Sequence, residues 1–104
     1  MTSILVIANI VKMKHDVISA LCNPVRLKLI LCLARKSKNV QELIHTCGLS
    51  QSAVSQHLNK LRKAGLVKDR KEGLFIYYSL KYPKTAKIAE MVIKFTKEIR
   101  NEKQ

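Results

Sequence analysis

Between Ile44 and Val67 the chain carries no aspartate or glutamate, yet Gln51, Ser52, Ser55, Gln56, His57, Asn59, Lys60, Arg62 and Lys63 crowd into one short stretch of it. At 100° per residue, Val54, Leu58 and Leu61 share one face of a helix; Ser52, Gln56, Asn59 and Lys63 share the opposite face, flanked by Ser55 and Lys60. Carboxamides, hydroxyls and cations on one face form a set suited to holding a hydrogen-bonding polyanion. Gln56 or Asn59 can bond an adenine edge with two hydrogen bonds, and Ser52 and Ser55 are short enough to touch bases or phosphates. Lys60, Arg62 and Lys63 suit phosphates, which set orientation without carrying sequence information. Gln51 opens the stretch as a further candidate, and His57, at the edge of the apolar face, suits packing or a phosphate contact rather than catalysis. Arg70 and Lys71 add two more cations just beyond it.

Other chemistries find no footing. Three histidines, at positions 15, 45 and 57, and three cysteines, at 22, 32 and 47, form no C-x-x-C pair and no local quartet for zinc, although His45 and Cys47 lie close in sequence. His15 precedes Asp16 without a nucleophile at a recognisable spacing, and three scattered glycines build no phosphate-cradling loop. The expectation is therefore no enzyme, no catalytic residue, no metal site and no cofactor. An odd cysteine count argues against a closed disulfide framework and for reduced thiols in the cytoplasm. The apolar run Ile4 to Val11 is broken by Asn9 and followed by Lys12 and Lys14, too short to span a bilayer and unlike a signal peptide. Neither export nor membrane association is expected.

The elements that must position these residues can be read from punctuation and periodicity. A chain of 104 residues with 47% apolar content is expected to form one domain, residues 1–104, with one modest core. A first helix ends near Leu21, with Ile4, Ile7, Val11, Val17, Ile18 and Leu21 on a broad apolar face. Asn23 and Pro24 open a second helix, apolar nearly all round from Val25 to Leu33, which makes it the core helix. Asn39 with Glu42 resembles a capping box for a short helix from Val40 to about Thr46, stopped by Gly48. Ser50 caps the polar-faced helix, which runs to Ala64 before Gly65. Leu66 to Lys71, the pair Glu72-Gly73, and Leu74 to Leu80 read as a hairpin whose turn type the sequence leaves open. Pro83 opens a last helix with Ile88, Val92, Phe95 and Ile99 in a stripe that needs a partner. The fold class is mainly α with a small β-hairpin, in the order α-α-α-α-β-β-α.

Two short helices joined by a glycine-containing turn, residues 40–64, make a helix-turn-helix whose second helix fits a major groove, and the hairpin, residues 66–80, is a wing carrying Arg70 and Lys71. The formal charge of +13, from 20 Lys and Arg against 7 Asp and Glu, favours nucleic acid, although basic residues are spread over the whole chain. Two other readings share these features: a nonspecific architectural DNA-coating protein, and a winged helix used only to contact protein.

The stretches Leu21-CNPVRLKLILCL-Ala34, Leu49-SQSAVSQHLNKLRKAGL-Val67 and Glu72-GLFIYYS-Leu80 resemble the ArsR/SmtB family of winged-helix repressors. Ile30-Leu31-Cys32 and Ser50-Gln51-Ser52 look most like the branch of the biofilm growth repressor and the haemolysin regulator. The resemblance implies a homodimer joined through the first and last helices, residues 1–21 and 83–101, binding double-stranded DNA at an imperfect inverted repeat and repressing transcription. The family's metal sites do not carry over: its Cys-x-Cys element would fall on Asn39 and Gln41, and Lys81 to Gln104 contains neither Asp nor His. Cys32 matches the thiol that this branch carries on its second helix, which in thiol-sensing members pairs with a cysteine on the last helix. Here Val92 to Lys97 contains none, and Cys22 would lie about 15 Å from Cys32 along one helix, well beyond disulfide reach. Cys32 thus reads first as a small apolar core residue at the end of Leu29-Ile30-Leu31, with a redox thiol lacking an intrachain partner as the alternative. No intrachain disulfide switch is expected, and an inducer of unknown identity would act through another pocket or on a single thiol.

Overall fold

The computed structural model describes Ile4, Ile7 and residues 15–102. Among these, five helices and one hairpin follow in the order α1 (His15–Leu21), α2 (Pro24–Cys32), α3 (Val40–Cys47), α4 (Gln51–Lys63), β1 (Val67–Glu72), β2 (Phe75–Leu80) and α5 (Lys84–Glu102). This is the order expected from the sequence. Most of the expected first helix before His15 lies outside the described residues; Ile4 and Ile7 are helical and exposed.

The boundaries have local causes. The Asn23 side chain accepts hydrogen bonds from the Val25 and Arg26 amides at 2.9 and 3.1 Å, satisfying two donors that the first turn of α2 leaves free, and Pro24 at the first helical position gives up no hydrogen bond. Asn39 and Glu42 close both arms of a capping box on α3. Gly48, at φ 67°, ends α3 in the left-handed region, where a side chain would be strained, and its amide donates to the Ile44 carbonyl. Two residues later the Ser50 hydroxyl accepts from the Ala53 amide and starts α4. The short connection fixes the angle between α3 and α4.

The core gathers around α2, whose Leu27, Leu29, Ile30 and following Leu33 are buried with Leu43 of α3, Val54, Leu58 and Leu61 of α4, and Leu66 and Val67 at the entry to β1. The apolar face computed for α4 is therefore the packed one. In α5 the inward residues are Thr85, Ala89 and the partly buried Ile93, against α2. The expected stripe points away: Ile88, Val92, Phe95 and Ile99 are exposed together with Met91.

The hairpin pairs Val67 with Leu80 through Glu72 with Phe75, so the two-residue turn is Gly73-Leu74 rather than Glu72-Gly73. Gly73 has φ 63° and no non-glycine residue described has positive φ, which matches the turn type that places glycine first and suits the right-handed twist of the strands. A bridge between Lys38 and Tyr78, with backbone hydrogen bonds of 3.0 and 2.8 Å, ties the wing to the segment before α3.

One expectation is overturned. The sulfur atoms of Cys32 and Cys47 are in contact, with Cα atoms 6.8 Å apart, at the upper end of disulfide reach. Cys32 thus has an intrachain partner. Spacing along the chain relates Cys32 only to Cys22 and to the last helix, whereas α3 folds back across α2 and carries Cys47 inward. Cys22 is exposed in the break between α1 and α2, so the two cysteines do not share one helix.

Candidate nucleic-acid interface

α4 stands at the surface on the rim opposite its buried Val54, Leu58 and Leu61. Gln51, Ser52, Ser55, Gln56, Asn59, Lys60, Arg62 and Lys63 are all exposed. The helix is thus divided as the 100° arithmetic requires. Its polar residues are partly prearranged: Asn59 Oδ1 accepts from Arg62 Nη2 at 2.9 Å, whereas Gln56 Nε2 makes only a 3.4 Å contact with the Ser52 hydroxyl. Gln56 therefore keeps its oxygen and nitrogen available for a base edge, while Asn59 must first release Arg62.

The wing rises beside this face. Between them lies a cleft of about 620 Å³ lined by Ser55, Gln56, Asn59, Arg62, Asp69 and Tyr78. Asp69 qualifies the acid-free surface suggested by the sequence, because β1 carries a carboxylate back beside the α4 side chains. Arg70 and Lys71 are exposed on the same strand, and Arg70 Nη2 lies 3.0 Å from Glu72 Oε2. Both side chains of this pair are solvated, so it is worth no more than about 1 kcal/mol and yields readily to a phosphate.

His57 differs from its neighbours on α4. It is half-buried, and Nδ1 lies 3.2 Å from Nη1 of the buried Arg26, which the sequence reading did not single out. Burial, and then the charges of Arg26 and Lys60, hold the imidazole below the usual histidine pKa. Among the described residues no cluster of three or more His, Cys, Asp or Glu could hold a metal, and no described helix is long and apolar enough to cross a membrane.

The arrangement is a helix-turn-helix followed by a basic wing. Residues 23–69 match the family model described as bacterial regulatory protein, arsR family. The transcriptional repressor PagR of Bacillus anthracis is 38% identical over 78 residues, covering 74% of this chain and 78% of PagR. The chain belongs to the arsR family. Among solved structures, the transcriptional repressor BigR from Xylella fastidiosa superposes with a TM-score of 0.74 at 28% identity, over 91% of this chain and 96% of BigR. A homodimeric winged helix-turn-helix DNA-binding domain, Mb0332 from Mycobacterium bovis, gives 0.72 at 26% identity over 91% and 88%. The arsR-family chain is thus similar to regulators of the branch that its Cys32 segment resembles. Its matches span between 51% and 78% of the length of three curated relatives.

Proposed function

We propose that this arsR-family chain is a cytoplasmic, homodimeric regulator that binds double-stranded DNA sequence-specifically, as a repressor on an inverted repeat. One observation carries the reading: α4 buries its whole apolar face and exposes a continuous row of hydrogen-bonding and cationic side chains beside a cationic wing. In this reading residues 40–64 are the helix-turn-helix of a single domain and 66–80 its wing. Gln56 reads a base edge; Ser52, Ser55 and Asn59 supply shorter or conditional contacts, and Gln51 and His57 flank them. Lys60, Arg62, Lys63, Arg70 and Lys71 hold phosphates.

The dimer would form through residues 1–21 and 83–101. The outward row Ile88, Met91, Val92, Phe95 and Ile99 on α5, with Phe95 61% and Met91 71% exposed, supports this choice, because an apolar row at helical spacing gains most from a copy of itself. Cys32 is the redox thiol of this scheme, with Cys47 placed to form the disulfide on transfer of two electrons and two protons to a peroxide or disulfide oxidant.

The test is competition of a duplex selected by the protein against bulk DNA at fixed salt. A preference of about a thousandfold or more supports specific regulation. Similar affinity for unrelated duplexes indicates an architectural coating protein, and absence of salt-dependent binding indicates a protein-contact module.

A further inference from the structure

Arg26 is the one charged residue that is buried among those described, and a guanidinium is tolerated inside a protein only when its donors find acceptors. Its acceptors lie on two other helices. Nε donates to the Ala20 carbonyl at 2.9 Å and Nη2 to the Ser19 carbonyl at 2.8 Å, both in the last turn of α1, where the Ser19 oxygen also accepts from the Cys22 amide at 3.2 Å. Nη1 faces His57 Nδ1 on α4 at 3.2 Å.

Arginine offers donors and no acceptor, so this contact is a hydrogen bond only while Nδ1 is unprotonated. The proton of the neutral imidazole is then on Nε2, because the bond made by one ring nitrogen decides the state of the other. Arg26 therefore does two things to the candidate reading helix. It fastens α4 to the end of α1, a helix assigned above to the dimer interface, and it selects the tautomer in which His57 presents a neutral N–H donor.

We infer that Arg26 is a positioning residue for DNA recognition: without touching DNA it sets the seat of α4 and the tautomer of His57 through the Nη1–Nδ1 bond. The inference rests on the DNA-binding role proposed above. The direction of the imidazole shift agrees with it. Burial comes first among the causes, then Arg26 from α2 and Lys60 from α4 itself, while Asp16 of α1 lines the adjoining cleft with Lys60 and Lys63.

The test combines NMR of the free protein with duplex binding. Long-range proton–nitrogen correlations should show the Nε2–H tautomer of His57 in the native chain. In Arg26→Gln the His57 pKa should rise and the tautomers should mix, which a purely packing role for Arg26 would not produce. Affinity for the selected duplex should fall about tenfold, the scale of one charge-assisted hydrogen bond, and affinity for bulk DNA by less than about twofold. His57→Ala leaves both carbonyl bonds of Arg26 in place, so it carries the test whether or not Arg26→Gln folds. It should give the same selective loss, and the double variant should lose no more than the worse single. His57→Asn, which restores an acceptor oxygen, should recover most of the affinity.

An unchanged His57 titration in Arg26→Gln, or losses that multiply in the double variant, would overturn the inference. A native chain that binds no duplex selectively while the NMR results hold would instead sink the DNA-reading role and leave the Arg26–His57 link standing.

Discussion

Removing the lysine at position 63 tests how the cations of α4 and the wing are used. Lys60, Arg62, Lys63, Arg70 and Lys71 are all exposed, and the proposed grip puts about four of them per protomer on phosphates. A dimer then makes about eight phosphate contacts, and counterion release predicts a log–log salt dependence of the association constant near −7. Lys63→Ala deletes one contact per protomer and should flatten that slope by about 2 while weakening specific and unrelated duplexes alike. Core packing is untouched, because Lys63 lies opposite Leu58 and Leu61. Fluorescence anisotropy of labelled duplexes between about 50 and 300 mM salt measures both slopes. A native slope shallower than about −3, or a Lys63→Ala slope unchanged from native, would refute the assignment of these cations to phosphates.

Gln56→Ala should cost about 1 to 3 kcal/mol on the selected duplex and relax preference at one base pair, read by a panel of single-base variants; an equal loss on every duplex contradicts its reading role. Phe95→Asp removes two rings from the proposed dimer interface, so the dimer dissociation constant should rise more than about a hundredfold in sedimentation velocity. Because Phe95 is exposed in the protomer, the same change should alter protomer stability by less than about 1 kcal/mol. Mild oxidation should yield a Cys32–Cys47 bridged peptide by mass mapping. Closing this loop, with a sequence separation of 15, should raise unfolding stability by about 3 kcal/mol relative to the reduced chain. Identical denaturation midpoints in the two states would argue against that bridge.

What the sequence discloses here is mostly what local chemistry decides. Asn23-Pro24, the Asn39–Glu42 box, Gly48 and Ser50 act within four residues, and each stands where expected. The facing of α4 follows from helical periodicity, and its buried Val54, Leu58 and Leu61 agree. The hairpin turn slipped by one residue because Glu-Gly says little about register, which the pairing of Val67 with Leu80 settles. The rest is nonlocal. Asp69 reaches the α4 cleft, Lys38 bridges Tyr78, and Cys47 meets Cys32 because separate segments fold together. Arg26 left a trace that could have been followed: it stands on the same helical spacing as Leu29, Ile30 and Leu33, so a charged residue occupied an interior stripe and required interior partners. Its actual acceptors, on α1 and α4, could not be named from spacing.

The central claim is that a symmetric pair of α4 helices reads duplex DNA. Selection of bound duplexes from a random pool, followed by insertion of five base pairs between the recovered half-sites, tests it most directly. The account predicts enrichment of an inverted repeat with half-sites about one helical turn apart, and loss of tight binding on insertion, because half a turn puts the second site on the far side of the helix. Recovery of no preferred sequence, or affinity unchanged by the insertion, would contradict it.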